Sequence, residues 1–231
     1  MEMLVEETSL KLDYNIGVFT DTLYRVIAKD PRGPFYHRLH DFCKSFSDNQ
    51  HICKIWLCEE LRKILDAKKD HYTAKKVMIL GSWYGNIIVP LLINNFPEIE
   101  EINLVDMDED ALAISRKFMQ HYRDQIKISW THDDVNFMRF DNLYTNICIN
   151  TSCEHMYPMS SVRFENDEDV IYALQTNNMK DIREHVSCVE SAKEFVKQAE
   201  LKRTYFEGKK QLYKAGGKEK YERYLIIGKR S

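Results

Sequence analysis

The order in which apolar runs, glycines and acids recur after residue 76 constrains this chain more than any other feature. Val77-Met78-Ile79-Leu80 is an apolar run without alternation, followed by Gly81, Ser82, Trp83, Tyr84 and Gly85 and then by a second apolar stretch, IIVPLLINNF. Such a run is buried on both faces, as a strand inside a parallel sheet must be. Gly81 suits a tight turn, Gly85 a close approach of the chain to a ligand, and Pro90 falls in the first turns of the helix that follows. The texture then repeats. EINLVDM reads as a strand, DEDALAISRKFMQHYR as a helix whose opening acids suit its positive end, and IKISWTHDD as a third strand. YTNICIN is a fourth strand, DVIYALQTN a fifth after a polar segment, and residues 190–200 a helix.

Alternating strands and helices predict a doubly wound sheet. The tail departs from that pattern: RTYFEGKKQLY and YERYLIIGKR each alternate polar with apolar residues and are joined by AGGKEK, which predicts an antiparallel hairpin. The expected fold is therefore α/β, a doubly wound, mostly parallel seven-stranded sheet ending in an antiparallel hairpin. From about residue 15 to 75 the pattern is helical instead. Ser47 or Asp48 caps a helix from near Gln50, Ile52, Ile55, Trp56, Glu59 and Ile64 form a partly amphipathic stripe, and Lys68, Lys69 and Asp70 close it before a link from His71 to Lys76. The chain divides into a helical N-terminal cap, 1–75, and a Rossmann-like domain, 76–231. With 231 residues, 44% of them hydrophobic, and only 8 Gly and 5 Pro, it has a core and little room for long disordered linkers.

The remaining composition removes whole classes. A net charge of −3 argues against a surface coated with nucleic acid. The six cysteines form no CxxC pair, the segment MEMLVEETSLKLDYNIG has acids where a secretory signal needs a basic start, and no apolar run is long enough to span a bilayer. A cytoplasmic protein with free thiols and no membrane association is the expectation.

In open α/β sheets the ligand lies at the carboxyl ends of the strands, near the point where strand order reverses. Three such ends occur in series here. The first is Gly81, Ser82, Trp83 and Gly85, where the next helix offers free N–H groups. Trp83 and Tyr84 crowd that loop against a pyrophosphate, and GxGxxG is absent, which makes a nicotinamide-dependent oxidoreductase the weakest of the rival readings. The second end places Asp106 where a carboxylate accepts both hydroxyls of a ribose, with Met107 beside it and Asp108 as a helix cap. The third places Asp133 and Asp134 just past the strand, where an acid accepts from an exocyclic adenine amine.

Residues 77–230 resemble the class I S-adenosylmethionine-dependent methyltransferases in strand order, in the acids closing the second strand and following the third, and in the final hairpin. The resemblance implies S-adenosylmethionine as cofactor, with Gly81 and Gly85 against its methionine part, Asp106 on the ribose, and Asp134 on the adenine with Val135 packed beside it. Two departures stand out. Ile79 occupies the position, two residues before the first glycine, where the family usually has an acid, and Trp83 replaces the middle glycine. A residue of the cap, such as Lys54, Trp56 or Glu59, is then needed to hold the methionine end. The NTSCEHM block and the ending YERYLIIGKR further resemble small methyltransferase-like proteins common in phage genomes, for which the compartment would be the host cytoplasm.

The fourth strand end, ININTSCEHMYPM, carries the chemistry. Asn150, Thr151, Ser152, Cys153, Glu154 and His155 follow one another where the resembled family places substrate and catalytic residues. Glu154 or His155 is the candidate general base and Asn150 the group that orients the acceptor. Methyl transfer needs little beyond in-line placement, so the base is optional. Asn177 and Asn178, after the fifth strand, lie on the same rim. The spacings C-x-H at Cys153 and His155 and H-x-x-C at His185 and Cys188 match no recognised zinc pattern, and no metal is expected.

From Lys202 to Arg230 there are ten Lys or Arg and three Glu, interleaved with Tyr205, Tyr213, Tyr221 and Tyr224. An edge hairpin guarded by lysines accounts for them better than a nucleic-acid face. The expected activity is S-adenosylmethionine-dependent methyl transfer to a small-molecule or nucleotide acceptor. Aminocarboxypropyl transfer from the same cofactor is the alternative within enzymes, and a methyltransferase-like module that binds nucleic acid or a partner is the non-catalytic one.

Overall fold

A computed structural model describes residues 10–12, 23–24, 34–67, 75–214 and 217–231. Before the sheet the described residues include the helices α1 (Pro34–Lys44) and α2 (Asp48–Ala67). The remainder follows in the order β1 (Lys76–Leu80), α3 (Ile88–Asn95), β2 (Glu101–Asp106), α4 (Glu109–Phe118), β3 (Lys127–His132), β4 (Ile147–Asn150), β5 (Ile171–Asn177), α5 (Ala192–Gln198), β6 (Arg203–Tyr213) and β7 (Lys220–Lys229). The rest of the expected cap, the closing residues Lys68, Lys69 and Asp70, most of the 71–76 link and part of the AGGKEK turn lie outside the described residues.

The seven strands form one sheet in the order β3-β2-β1-β4-β5-β7-β6. Pairs among β1 to β5 are parallel, and β7 runs antiparallel to both β5 and β6. The order reverses between β1 and β4, so their carboxyl ends open the crevice that this topology reserves for ligands.

The apolar run of β1 is explained by burial on both faces. Val77 and Ile79 join the cluster formed with Trp56, Leu57, Leu61, Leu91 and Leu92 on one side of the sheet. Met78 and Leu80 join Cys148, Tyr172, Phe195 and Ile226 on the other. Helix boundaries follow their caps: the Asp108 side chain accepts from Ala111 N at the start of α4, and the Ser191 side chain accepts from Glu194 N at the start of α5. Strand β4 is shorter than YTNICIN suggests. Thr145 and Asn146 hold the start of the strand with their side chains as well (Thr145 Oγ1 donates to Lys76 O, Asn146 Oδ1 accepts from Lys75 N and Lys76 N), while the Asn146 backbone donates to Lys76 O and accepts from Ile171 N. All six cysteines are free thiols. Among the described residues no helix is long and apolar enough to cross a membrane.

Beyond the end of β7, Arg230 is 5% exposed and ties the hairpin to the far side of the sheet. Its guanidinium donates to the carbonyls of Ala199, Val162 and Met159, pairs with Asp167 at 3.2 Å, and lies 4.1 Å over the Tyr172 ring. A planar fork with five donors is required to meet so many acceptors. Arg230→Met leaves three buried carbonyls and Asp167 without their donor, and unfolding free energy should fall by about 3–5 kcal/mol. Chemical denaturation would show this, and Arg230→Lys should recover less than half.

Candidate active site

A cavity of about 470 Å³ opens at the carboxyl ends of β1, β2 and β4. Its floor is the loop after β1. Gly81 and Gly85 have φ of 60° and 65°, and Trp83 between them has φ of 51°, a left-handed conformation that a bulky residue holds only when its surroundings impose it. Trp83 N donates to Asp106 Oδ2 at 2.6 Å, its indole Nε1 donates to Asp41 Oδ2 at 3.1 Å, and the fully buried Tyr84 donates its hydroxyl to the same oxygen at 2.9 Å. The two aromatics thus lock the loop to α1. The missing side chain of Gly85 serves packing: a Cβ there would lie 2.6 Å from Leu104 Cδ2. A Cβ at Gly81 would meet Met156 Cε at 3.0 Å, so this glycine makes room for the loop after β4.

Asp106 closes β2 as expected. Besides Trp83 N it accepts from Asp108 N at 3.0 Å. Burial lifts its carboxyl above the ordinary value while these N–H bonds pull the other way. Asp134, half-buried, caps its own turn through Asn136 N, and the buried Val135 lines the cavity beside it. Met107 lines the rim and is 66% exposed. Ser82 and Trp83 line the floor, and the buried Ser82 Oγ has no partner in the protein. Of the three cap residues considered for the methionine end, Lys54 lines the cavity, whereas Trp56 is buried against Phe206 and Glu59 is not among the lining residues.

The loop after β4 differs from the sequence reading in two respects. Asn150 is fully buried and does not reach the cavity: its amide donates to Met156 Sδ and Met159 Sδ, and its Oδ1 accepts from Ser152 N. It shapes the loop and is spent there, so it does not orient an acceptor. Glu154 is 4% exposed, and its Oε1 accepts from Arg223 Nη1 at 2.6 Å and from Asn177 Nδ2 at 2.8 Å. Both contacts fall on one oxygen and hold the carboxylate in place, whereas His155 is exposed at the rim with its ring 4.5 Å from that of His185, which makes it the accessible base candidate. Asn177 lines the cavity; Asn178 instead accepts from Glu222 N.

Arg223 was missed by sequence reasoning although a signal existed. It lies in phase with Leu225 and Ile227, so a charge occupies the inward face of an alternating strand. It also donates to Thr151 O. Burial weakens a guanidinium, but Glu154 beside it more than offsets this and raises Arg223 above its ordinary range. Lys54, bonded to Gln50 Oε1, stands near this pair, and burial pushes its ammonium down to about 8. Part of the hairpin's positive charge is paired: Lys209 with Glu222, and Lys214 with Glu219 and with Asp181 of the loop after β5.

The donor set fits an S-adenosyl cofactor. Acids close β2 and follow β3, a partnerless Ser82 hydroxyl faces the first loop, and the cavity has the volume of a small-ligand site. The sheet order, its antiparallel end and these strand-end acids define a class I S-adenosylmethionine-dependent transferase. Residues 65–218 match the spermine/spermidine synthase domain family, and the chain belongs to it. No curated protein sequence matches the chain. Among solved structures, the N-methyltransferase NodS from Bradyrhizobium japonicum in complex with S-adenosyl-L-homocysteine superposes with a TM-score of 0.50 at 12% identity, over 91% of this chain and 98% of that one. A protein from Bacillus halodurans described as a methyltransferase superposes with a TM-score of 0.52 at 12% identity, over 74% of this chain and 98% of that one. At such identities the likeness is one of fold.

Two outcomes test the electrostatics. Arg223→Met strands the Glu154 carboxylate and should cost about 3–5 kcal/mol of stability, whereas Glu154→Gln combined with Arg223→Met should recover most of it. For Lys54, the native ammonium titrates near 8 against an ordinary value of 10.5. Between those values the unfolded chain binds more protons, so this group makes stability rise with pH. Lys54→Met should flatten that rise in denaturation midpoints measured from pH 8 to 10.5.

Proposed function

We propose that this chain is an S-adenosylmethionine-dependent methyltransferase whose acceptor is a neutral or anionic small molecule or nucleotide. The observation that carries this reading is the charge around the Glu154 end of the cavity. Glu154 is already neutralised by Arg223, and Lys54 adds a cation. A polyamine, the acceptor suggested by the family's name, is a multiple cation and would meet Arg223 and Lys54 here, with a single carboxylate oxygen, Glu154 Oε2, left to answer it. The same lysine suits a cofactor that retains its methionine carboxylate and disfavours the decarboxylated form, which is wholly cationic.

When bound, the cofactor supplies an electrophilic methyl carbon on its sulfonium. Asp106 holds the ribose hydroxyls through its remaining lone pairs, Asp134 takes the adenine amine, and Val135 packs against the base. Lys54 answers the methionine carboxylate, in place of the acid that Ile79 lacks. His155, at the rim, takes the acceptor's proton. Placement of the acceptor in line, with water excluded by the buried walls around Met156, supplies most of the rate.

The family match favours a second reading, transfer of the cofactor's propyl arm, which a different carbon of the same sulfonium permits. Product analysis separates the two, because methyl transfer leaves S-adenosylhomocysteine and propyl transfer leaves methylthioadenosine. Calorimetry should show S-adenosylmethionine and S-adenosylhomocysteine binding about tenfold or more tightly than the decarboxylated cofactor, with Asp106→Ala weakening all three by about 1.5–3 kcal/mol. Preferred binding of the decarboxylated form, together with turnover of a polyamine, would reverse the assignment.

A further inference from the structure

Beside the cofactor half of the cavity lies a cluster that includes His155, whose role as proton acceptor a bound metal would displace; methyl transfer needs no base. One ring nitrogen of His155, one of His185 and one carboxylate oxygen of Glu154 lie within 4.8 Å of one another. All three residues line the same cavity. They come from two separate segments, the turn after β4 and the loop after β5, so no local sequence spacing announces them.

Two independent features point to a ligand. Glu154 Oε1 is satisfied by Arg223 and Asn177, but Oε2 is buried and has no hydrogen-bond partner among the described residues, in a side chain only 6% exposed. A buried carboxylate oxygen without a partner is costly and rare. Second, His185 Nδ1 lies 3.0 Å from Met179 O. A carbonyl only accepts, so the ring proton sits on Nδ1 and Nε2 keeps its lone pair. This is the arrangement in which a histidine binds a metal, its other ring nitrogen donating to the backbone and fixing tautomer and orientation.

We propose that Glu154, His155 and His185 form a binding site for one divalent first-row cation of the Zn2+ or Co2+ class. Two imidazoles and a carboxylate are borderline donors that suit such ions better than Mg2+ or Ca2+. Ligand bonds of about 2.0–2.2 Å place neighbouring donor atoms roughly 3.4 Å apart in a tetrahedral site, so modest rotation of the exposed His155 ring closes the set. Arg223 holds the opposite carboxylate oxygen, and Glu154 then bridges guanidinium and metal. Three protein ligands leave coordination positions open toward the cavity, where a donor atom of an acceptor can enter. The site stands on these side chains alone and is independent of which group the enzyme transfers.

The test is titration of chelator-treated protein with Zn2+ alone by calorimetry and with Co2+ by visible absorption, without cofactor. One equivalent per chain should bind, with the absorption of low-coordinate Co2+, and His155→Ala and His185→Ala should each weaken binding about tenfold or more. His155 is exposed, so its replacement leaves the fold intact, which circular dichroism checks. Cys188→Ser and Cys43→Ser control for thiol binding and should leave the affinity unchanged. Absence of stoichiometric binding overturns the site. So does binding that survives both histidine substitutions, or binding that follows Cys188 and not His155.

Discussion

The ion pair between Glu154 and Arg223 is the contact on which the reactive end of the molecule depends. Arg223 and Asn177 are directly opposed residues of the antiparallel pair β5–β7, so they share a face of the sheet and converge on one carboxylate oxygen. Arg223 also takes the carbonyl of Thr151. The loop after β4 is thereby fastened to the last strand of the chain. Buried pairs of this kind contribute little net stability once desolvation is counted; their effect is to fix geometry. The antiparallel hairpin is thus part of the site. A parallel strand beside β5 would not bring an arginine back across from Asn177 in this register.

A second tie does the same for the cofactor end. Trp83 stands where a glycine would relax the loop, and its left-handed backbone persists because three hydrogen bonds hold the loop: Asp106 takes its N–H, Asp41 takes its indole, and Asp41 also takes the neighbouring Tyr84 hydroxyl. Arg38, one turn before Asp41, reaches Asp108 at the end of β2. The loss of a permissive residue is compensated by tertiary contacts from α1, which makes the N-terminal helices structural partners of the loop as well as a cover for it.

These two ties separate what was legible in the sequence from what was not. Periodicity and turn residues gave the element order, the hairpin and the acids at the strand ends, because each is a local property of fewer than a dozen residues. Asp106 and Val135 lie where their strand ends put them. Asn150 was misread, and the arginine partner of Glu154 was missed, because a polar residue after a buried strand looks the same whether it faces a ligand or turns back on the protein. The difference lies in partners distant in sequence or hidden in apolar residues. Arg223 is 69 positions from Glu154, and the acceptors of the Asn150 amide are two methionine sulfurs. The inward phase of Arg223 with Leu225 and Ile227 was the one local trace of the first, and nothing local betrays the second.

The provenance of the site residues separates the part of the cavity that the sheet fixes from the part that it leaves free to vary. Asp106, Asp134 and the Gly81–Gly85 loop come from the ends of β1 to β3, where backbone register fixes them. The residues around the other end come from α2, from the turn after β4, from the loop after β5 and from β7. Loops and caps change without disturbing a sheet. The Glu154–Arg223 pair and Lys54 sit on these segments, so the charge at that end of the cavity can change while the strand-end acids stay in place. Family membership therefore fixes the fold, and the side chains around Glu154 can vary without disturbing it.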